Sequence, residues 1–425
     1  MTTPYIPRIA DKLLHQQLEA SGGVLIQGPK WCGKTTTAQQ QAKSALYMDD
    51  PKTRGANLLL AETDPEILFK GETPRLIDEW QLAPKLWDAA RFEISRRRLP
   101  GQFIFTGSSV PPDMSEITHS GTGRFAWVTM RTMSLWESGD SNGNISLNDL
   151  FQGETSSFLS KDISFNELAY LTCRGGWPGS LVLNRQAALR QATNYVDAVV
   201  RSDISRVDNV SRDAAFARRL LRSYARHQGQ QVSIKTIHED LMSNESESMS
   251  QDTIASYINA LKKIFVIEDM PAWNPNLRSR TAIRTSDTRY FVDPSIATAA
   301  LGLGPEDLIR DMNTFGLFFE VMAVRDLRVY ADSLDGQVYH YRDKNGLECD
   351  AVLHLRNGKF GLIEIKLGGD SLIEDGAEIL RELADKIDTT RMNLPSFLMV
   401  LTGVGQYAYR RKDGVWVVPI GCLKD

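Results

Sequence analysis

The 425 residues hold only four cysteines and six histidines. Cys32, Cys173, Cys349 and Cys422 lie far apart and form no C-x-x-C. That excludes a zinc ribbon and a disulfide scaffold, and suits the reduced thiols of a cytoplasmic protein. No apolar run approaches the roughly 18 residues that span a bilayer, so no membrane segment is expected. Met1-Thr2-Thr3-Pro4-Tyr5 lacks a basic stretch followed by an apolar one, so no secretory leader is expected. Charge of neither sign dominates, with 49 Lys and Arg against 53 Asp and Glu. Bulk charge argues neither for nor against nucleic acid, and any basic surface must be local. No repeat of solenoid length recurs. What is present is length and apolar content for roughly two to four domains with real cores.

One stretch organises the rest. Gly28-Pro29-Lys30-Trp31-Cys32-Gly33-Lys34-Thr35 fits G-x-x-x-x-G-K-[ST], the phosphate-cradling loop of P-loop NTPases. Gly23-Val24-Leu25-Ile26-Gln27 reads as a short buried strand before it, and the residues from Thr36 to Ala42 as a helix after it. A strand feeding a glycine-rich turn into a helix start aims successive backbone N–H groups at one spot, where phosphate oxygens are favoured. Gly28 through Thr36 are therefore the candidate cradle for ATP. Lys34 would reach the β- and γ-phosphates, and the Thr35 hydroxyl would ligate Mg2+.

Arg75-Leu76-Ile77-Asp78-Glu79 is an apolar strand ending in two carboxylates, forty-odd residues behind the loop. Asp78 would hold Mg2+ and Glu79 would polarise the attacking water. A helix is expected from about Leu86 to Arg98. The strand Gln102-Phe103-Ile104-Phe105 then ends in Thr106-Gly107-Ser108-Ser109. Thr106 or Ser108 would contact the γ-phosphate or its water, and a plain strand-ending turn is the alternative. Arg124 precedes the strand from Phe125 to Met130. It is the candidate for a guanidinium that reaches a neighbouring subunit's ATP, against the reading of a solvated loop arginine.

Residues 138–163 are rich in Ser, Gly, Asn and Asp and read as a polar loop that closes the ATPase core. A helix from Phe165 ends at Arg174-Gly175-Gly176-Trp177-Pro178, and a long helical pattern runs from Leu183 to Ile204. Residues 215–275 read as a winged helix, with helices from Phe216, Ser233 and Ser250 and a wing starting at Phe265. Arg218, Arg219, Arg222 and Arg226 gather on its first helix, and Arg278, Arg280, Arg284 and Arg289 around the wing. Such clustering suits a DNA phosphate footprint, and equally a lid or protein-contact module.

The last third carries a second constellation. Glu320 lies on a helix, Asp350 on a strand, and Glu364 and Lys366 on the next strand after a turn. That order is the arrangement of the PD-(D/E)-x-K nuclease fold. Asp350 and Glu364 on adjacent strands would share one Mg2+ or Mn2+ with help from Glu320. Period-two alternation puts Lys366 on the face of Glu364, where it would orient or activate water or stabilise the pentavalent phosphate, and a strand face of ordinary salt-bridged charges is the alternative.

The chain resembles prokaryotic AAA-type ATPases that carry a C-terminal domain of unknown function, number 4143. The resemblance covers nearly the whole length. It rests on the Gly28 to Thr35 loop, Leu76-Ile77-Asp78-Glu79-Trp80-Gln81, Phe105 to Ser109, Gly123-Arg124 and Ser134-Leu135-Trp136-Glu137. It continues through Gly175-Gly176-Trp177-Pro178, Arg201-Ser202-Asp203-Ile204, Tyr290-Phe291-Val292-Asp293-Pro294 and the Glu320, Asp350, Glu364 and Lys366 set. Arg131-Thr132-Met133 replaces the more usual apolar-proline stretch. The fold class expected is α/β. It comprises a parallel AAA-type sheet (1–137), a polar loop and helical lid (138–214), a winged helix (215–289) and a nuclease-like α/β domain (290–425). The function implied is Mg-ATP hydrolysis driving work on DNA, in a homo-oligomeric ring expected to be a hexamer. Two alternatives stand beside it: a metal-dependent nuclease gated by ATP, and a signalling ATPase that binds a protein partner.

Overall fold

The computed structural model describes residues 4–108, 121–208, 210–243, 249–276 and 285–425. Ser109, Arg278, Arg280 and Arg284 lie outside them. The chain divides into two compact units: residues 1–132 with 198–214 and 256–266, and residues 133–197 with 215–255 and 267–425.

The first unit begins with helix α1 (Ile9–Ala20), strand β1 (Gly23–Gln27), α2 (Lys34–Gln41) and β2 (Ser44–Tyr47). It continues with α3 (Arg54–Thr63), α4 (Pro65–Leu68), β3 (Arg75–Asp78), α5 (Lys85–Arg97), β4 (Phe103–Gly107) and β5 (Phe125–Thr129). The five strands form a wholly parallel sheet in the order β2-β3-β4-β1-β5. Both faces are covered, which is why its strands read as near-continuous apolar runs. Val24, Ile26, Leu76 and Ile104 point into a core with Leu14 and Leu18 of α1. Leu25, Ile77, Phe103 and Phe105 point the other way, against Leu86, Trp87, Ala90 and Ile94 of α5. β1 lies between β4 and β5, so the loop after it leaves the sheet's carboxyl edge, where open α/β sheets bind ligands.

The polar stretch 138–163 is not a continuous loop. It contains β6 (Ile145–Ser146), α6 (Leu147–Gln152) and β7 (Phe158–Leu159). These belong to the second unit, where β6 pairs with β14 (Leu423–Lys424) and β7 with β12 (Tyr407–Arg410). Two residues per strand are too few to show a period, so pattern reading cannot find them.

Then come α7 (Phe165–Arg174), capped by Ser164, and α8 (Arg185–Ala198). The long helix expected to reach Ile204 changes character: Val199–Asp203 is π-helical, and α9 (Ile204–Arg206) follows. Helices α10 (Ala214–Arg226), α11 (Ile234–Met242) and α12 (Gln251–Lys263) come next. Antiparallel bridges Ile267↔Phe291 and Met270↔Thr288 follow where the wing is expected.

The second unit continues with α13 (Pro294–Leu301), α14 (Pro305–Arg310), α15 (Met312–Ser333), β8 (Gly336–Arg342), β9 (Glu348–Leu355) and β10 (Phe360–Lys366). It closes with α16 (Asp370–Lys386), β11 (Phe397–Thr402), β12, β13 (Trp416–Pro419) and β14. Its seven-stranded mixed sheet runs β7-β12-β13-β11-β10-β9-β8. Ala377, Leu380 and Leu383 of α16 pack on Val352, Leu362 and Val400. A fully buried ion cluster ties this unit together. Arg325 Nη1 lies 3.1 Å from Asp293 Oδ2, and its Nε donates to Asp326 Oδ1 at 2.8 Å. The backbone N–H groups of Gly176 and Leu135 donate to those same two carboxylates. The Gly176, Leu135 and Asp293 motifs are thus structural, because charges taken out of water must be paired and hydrogen-bonded.

Among the described residues no helix is long and apolar enough to cross a membrane.

Candidate functional site: a phosphate cradle and a carboxylate pair

The cradle forms because β1 ends at Gln27 and glycine takes the next position. Gly28 has φ 153°, and a Cβ there would sit 2.0 Å from the Met130 carbonyl oxygen. Gly33, at φ 102°, opens α2 from the left-handed region that other residues resist. The buried Lys34 ammonium turns back onto the loop, donating to Gly28 O at 2.9 Å and Pro29 O at 2.7 Å. Trp31 also holds a positive φ, at 67°, and is 48% exposed. Cys32 is buried behind it.

Two residues outside the motif brace this loop. Arg8 Nη1 donates to Cys32 O at 2.8 Å, and its Nη2 to Arg131 O at 3.0 Å. The Tyr5 hydroxyl lies 3.0 Å from Thr37 Oγ1 and donates to Asp11 at 2.6 Å. Nothing in the sequence around them signals this, because the contacts join the N-terminal segment to residues about 25 to over 100 positions away.

Strand β3 lies next to β4, with Asp78 level with Thr106. Asp78 therefore meets both candidate hydroxyls. Thr35 Oγ1 donates to its Oδ1 at 2.8 Å, and Thr106 donates to the same oxygen. Ser108 is buried one residue past β4. Burial pushes the Asp78 carboxyl up, and the two threonine hydroxyls partly offset it. Glu79 stands in the left-handed region at φ 54° and accepts from the Gln81 side-chain amide. Burial, and then the Asp78 charge, raise its carboxyl above the usual range. Strain of this kind on a non-glycine residue clusters at working sites. The hydroxyl and carboxylate oxygens of Thr35 and Asp78 are the hard donors that Mg2+ prefers, so these residues fit the ion.

Arg124 is exposed and lies at the other edge of the sheet. β1 runs from Gly23, beside Phe125, to Gln27, beside Thr129. Arg124 precedes Phe125 and so sits a full strand from the loop, roughly 15 Å at about 3.3 Å per residue. Its Nε donates to Ser95 Oγ at 2.9 Å.

The second constellation converges on the Lys366 ammonium. Lys366 Nζ lies 2.6 Å from Glu364 Oε2 and 3.2 Å from Asp350 Oδ2. The Asp350 N–H donates to Glu364 Oε1 at 3.2 Å, and the Ile365 N–H to Asp350 Oδ2 at 2.8 Å. Glu320 accepts the Tyr290 hydroxyl. Among the described residues no three His, Cys, Asp or Glu side chains stand so that they could hold a metal ion. The lysine ammonium takes the central place, and Glu320 is held by the tyrosine.

Glu320 keeps a partly exposed surface while its carboxyl is enclosed. Burial, and then the negative charge of Asp350, push that carboxyl far above its ordinary range. A carboxyl raised on folding stabilises the protein at low pH and loses that contribution as pH rises through its folded value. Glu320→Gln keeps an acceptor for Tyr290 and removes the charge. The stability lost between about pH 5 and about pH 9 should shrink by about 2 kcal/mol in this variant. Urea midpoints at the two pH values measure it.

Three family profiles match the chain. Residues 21–138 match the AAA domain, 166–307 a domain of unknown function (DUF8612), and 315–423 a second one (DUF4143). Uncharacterized proteins of Mycobacterium bovis (Mb2031c) and Mycobacterium tuberculosis (Rv2008c) are each 24% identical over 363 residues. The match covers 84% of this chain and 73% of theirs. A Walker-type ATPase of Pyrococcus abyssi aligns over 70% of this chain and 96% of its own at 14% identity, with a TM-score of 0.43. The N-terminal part of the chain is thus similar to the AAA domain, and its C-terminal part to DUF4143.

Proposed function

We propose that the protein binds Mg-ATP in the Gly28 to Thr36 cradle and hydrolyses it. The observation that carries this is the 2.8 Å contact between the Thr35 hydroxyl and the Asp78 carboxylate, beside the Lys34 ammonium. Thr35 and Asp78 would hold the magnesium, which neutralises phosphate charge when bound. Lys34 exchanges its two carbonyl partners for β- and γ-phosphate oxygens. Glu79 takes the proton of the attacking water. Lys34→Ala is expected to weaken Mg-ATP binding about 100-fold, since it removes a cation paired to phosphate in an enclosed site. Titration with a fluorescent ATP analogue measures this. Equal affinity in the variant overturns the reading.

The work driven by hydrolysis is, in this proposal, work on DNA. The order of α10, α11 and α12 followed by antiparallel bridges favours it, since that is the order of a winged helix. A basic footprint supports it less than the sequence suggests. Arg218 pairs with Asp197, Arg226 with Asp240 and Arg289 with Asp269, so three of those arginines already face carboxylates. ATP turnover with duplex, single-stranded and junction DNA tests it. A several-fold rise with any of them supports DNA, and none with all three favours a protein partner.

The placement of Arg124 favours an oligomer. A guanidinium a full strand from its own cradle would serve a neighbour's, which ring assemblies of this class allow.

A further inference from the structure

The first lysine of the phosphate loop is not turned to the cradle. Lys30 Nζ lies 2.6 Å from Asp203 Oδ1, 173 residues along the chain. The lysine side chain is 44% exposed and the aspartate only 10%. Asp203 closes the π-helical stretch Val199–Asp203. π-Helical turns are rare and recur at working sites. One inserted residue rotates all that follows by about 100°, and here the stretch carries Asp203 onto the loop while Val199, Val200 and Ile204 stay buried.

The segment carrying Asp203 is well anchored. Arg212 Nη1 donates to Ile204 O at 2.7 Å, and its guanidinium grips Asp208 with Nη1 at 2.6 Å and Nη2 at 2.7 Å. Nη2 also donates to Ser256 Oγ at 3.2 Å, and the Asp213 N–H donates to the Tyr257 hydroxyl at 2.9 Å. Asp203 is therefore fixed, and Lys30 on its flexible, half-exposed stem is the partner that moves.

We infer that Asp203 is a positioning residue that holds Lys30 away from the cradle and competes with nucleotide phosphates for its ammonium. This rests on the reading of the loop as a nucleotide site. A polyphosphate in the cradle offers Lys30 several anionic oxygens, and it repels the Asp203 carboxylate. Binding therefore breaks the Lys30–Asp203 pair. Removing the carboxylate charge removes that competition.

The test is a double-mutant cycle on the full chain, read by isothermal titration with Mg-ATP, Mg-ADP and adenosine. Asp203→Asn should tighten Mg-ATP and Mg-ADP about three- to tenfold, as expected for one partly exposed ion pair. It should leave adenosine unchanged, since adenosine has no phosphate to draw Lys30. In a Lys30→Met background the same substitution should change nothing. Asp203→Glu, which keeps the charge, should restore wild-type affinity and shows that the site still folds. Asp203→Asn with unchanged or weaker Mg-ATP binding overturns this inference alone. So does a gain that persists without Lys30 or extends to adenosine. Wild-type protein that binds no Mg-ATP overturns both the inference and the nucleotide reading beneath it.

Discussion

Replacing Glu79 by glutamine should lower ATP turnover about 1000-fold and leave Mg-ATP affinity nearly unchanged. The side chain stands one residue past Asp78, at the carboxyl end of β3, in a left-handed conformation that aims it away from the strand. Asp78 is occupied by two hydroxyls, so Glu79 is the carboxylate left to accept a proton. Its raised pKa makes it a stronger base than an exposed glutamate. Glutamine keeps the size and the contact with Gln81 but cannot take the proton. Sign follows from the same shift. Glu79 works deprotonated, so turnover should fall as pH drops through a value above the ordinary glutamate range of about 4.3. That acid limb should be missing in the variant. Single-turnover phosphate release across pH, with nucleotide binding measured alongside, checks both parts. Turnover within tenfold of wild type would remove Glu79 from the reaction.

Arg124→Ala should also cost turnover on the order of 1000-fold, again with ATP binding kept. The reason is placement. Arg124 lies beside Gly23 at the amino edge of the sheet, and the cradle follows Gln27 at the carboxyl edge. No arginine side chain spans that strand to reach its own phosphate. If it acts, it acts on another copy. Mixing inactive Arg124→Ala with inactive Lys34→Ala protein should then restore part of the activity. The first retains an intact cradle and the second lends it an arginine. A chain bearing both changes should restore nothing when added to either. Full activity in Arg124→Ala protein, or no recovery on mixing, would leave Arg124 a solvated loop residue tied to Ser95.

Much of the first unit was legible because its information is local. The loop motif, the apolar run Val24-Leu25-Ile26, and the acidic end of β3 all lie within a few consecutive residues. The parallel sheet buries both faces, so its strands announce themselves as apolar runs bounded by turns. The stretch 138–163 failed for the opposite reason. Its strands are two residues long and exist only because β12 and β14 lie beside them. The arginines near α10 and the wing are a third case. Sequence shows where a charge is, not whether a carboxylate already faces it, and Asp197, Asp240 and Asp269 do.

By itself, then, the order of residues determined that a glycine-rich turn joins a strand to a helix, and marked Lys34, Thr35, Asp78 and Glu79 as candidates for one site. Those constraints come from backbone geometry over short spans. Only the tertiary structure decided where long-range charge went. It put Lys366 between Asp350 and Glu364, set Arg8 behind the cradle, and brought Asp203 to Lys30. A carboxylate chooses its partner by distance in space, and the packing of distant segments sets that distance.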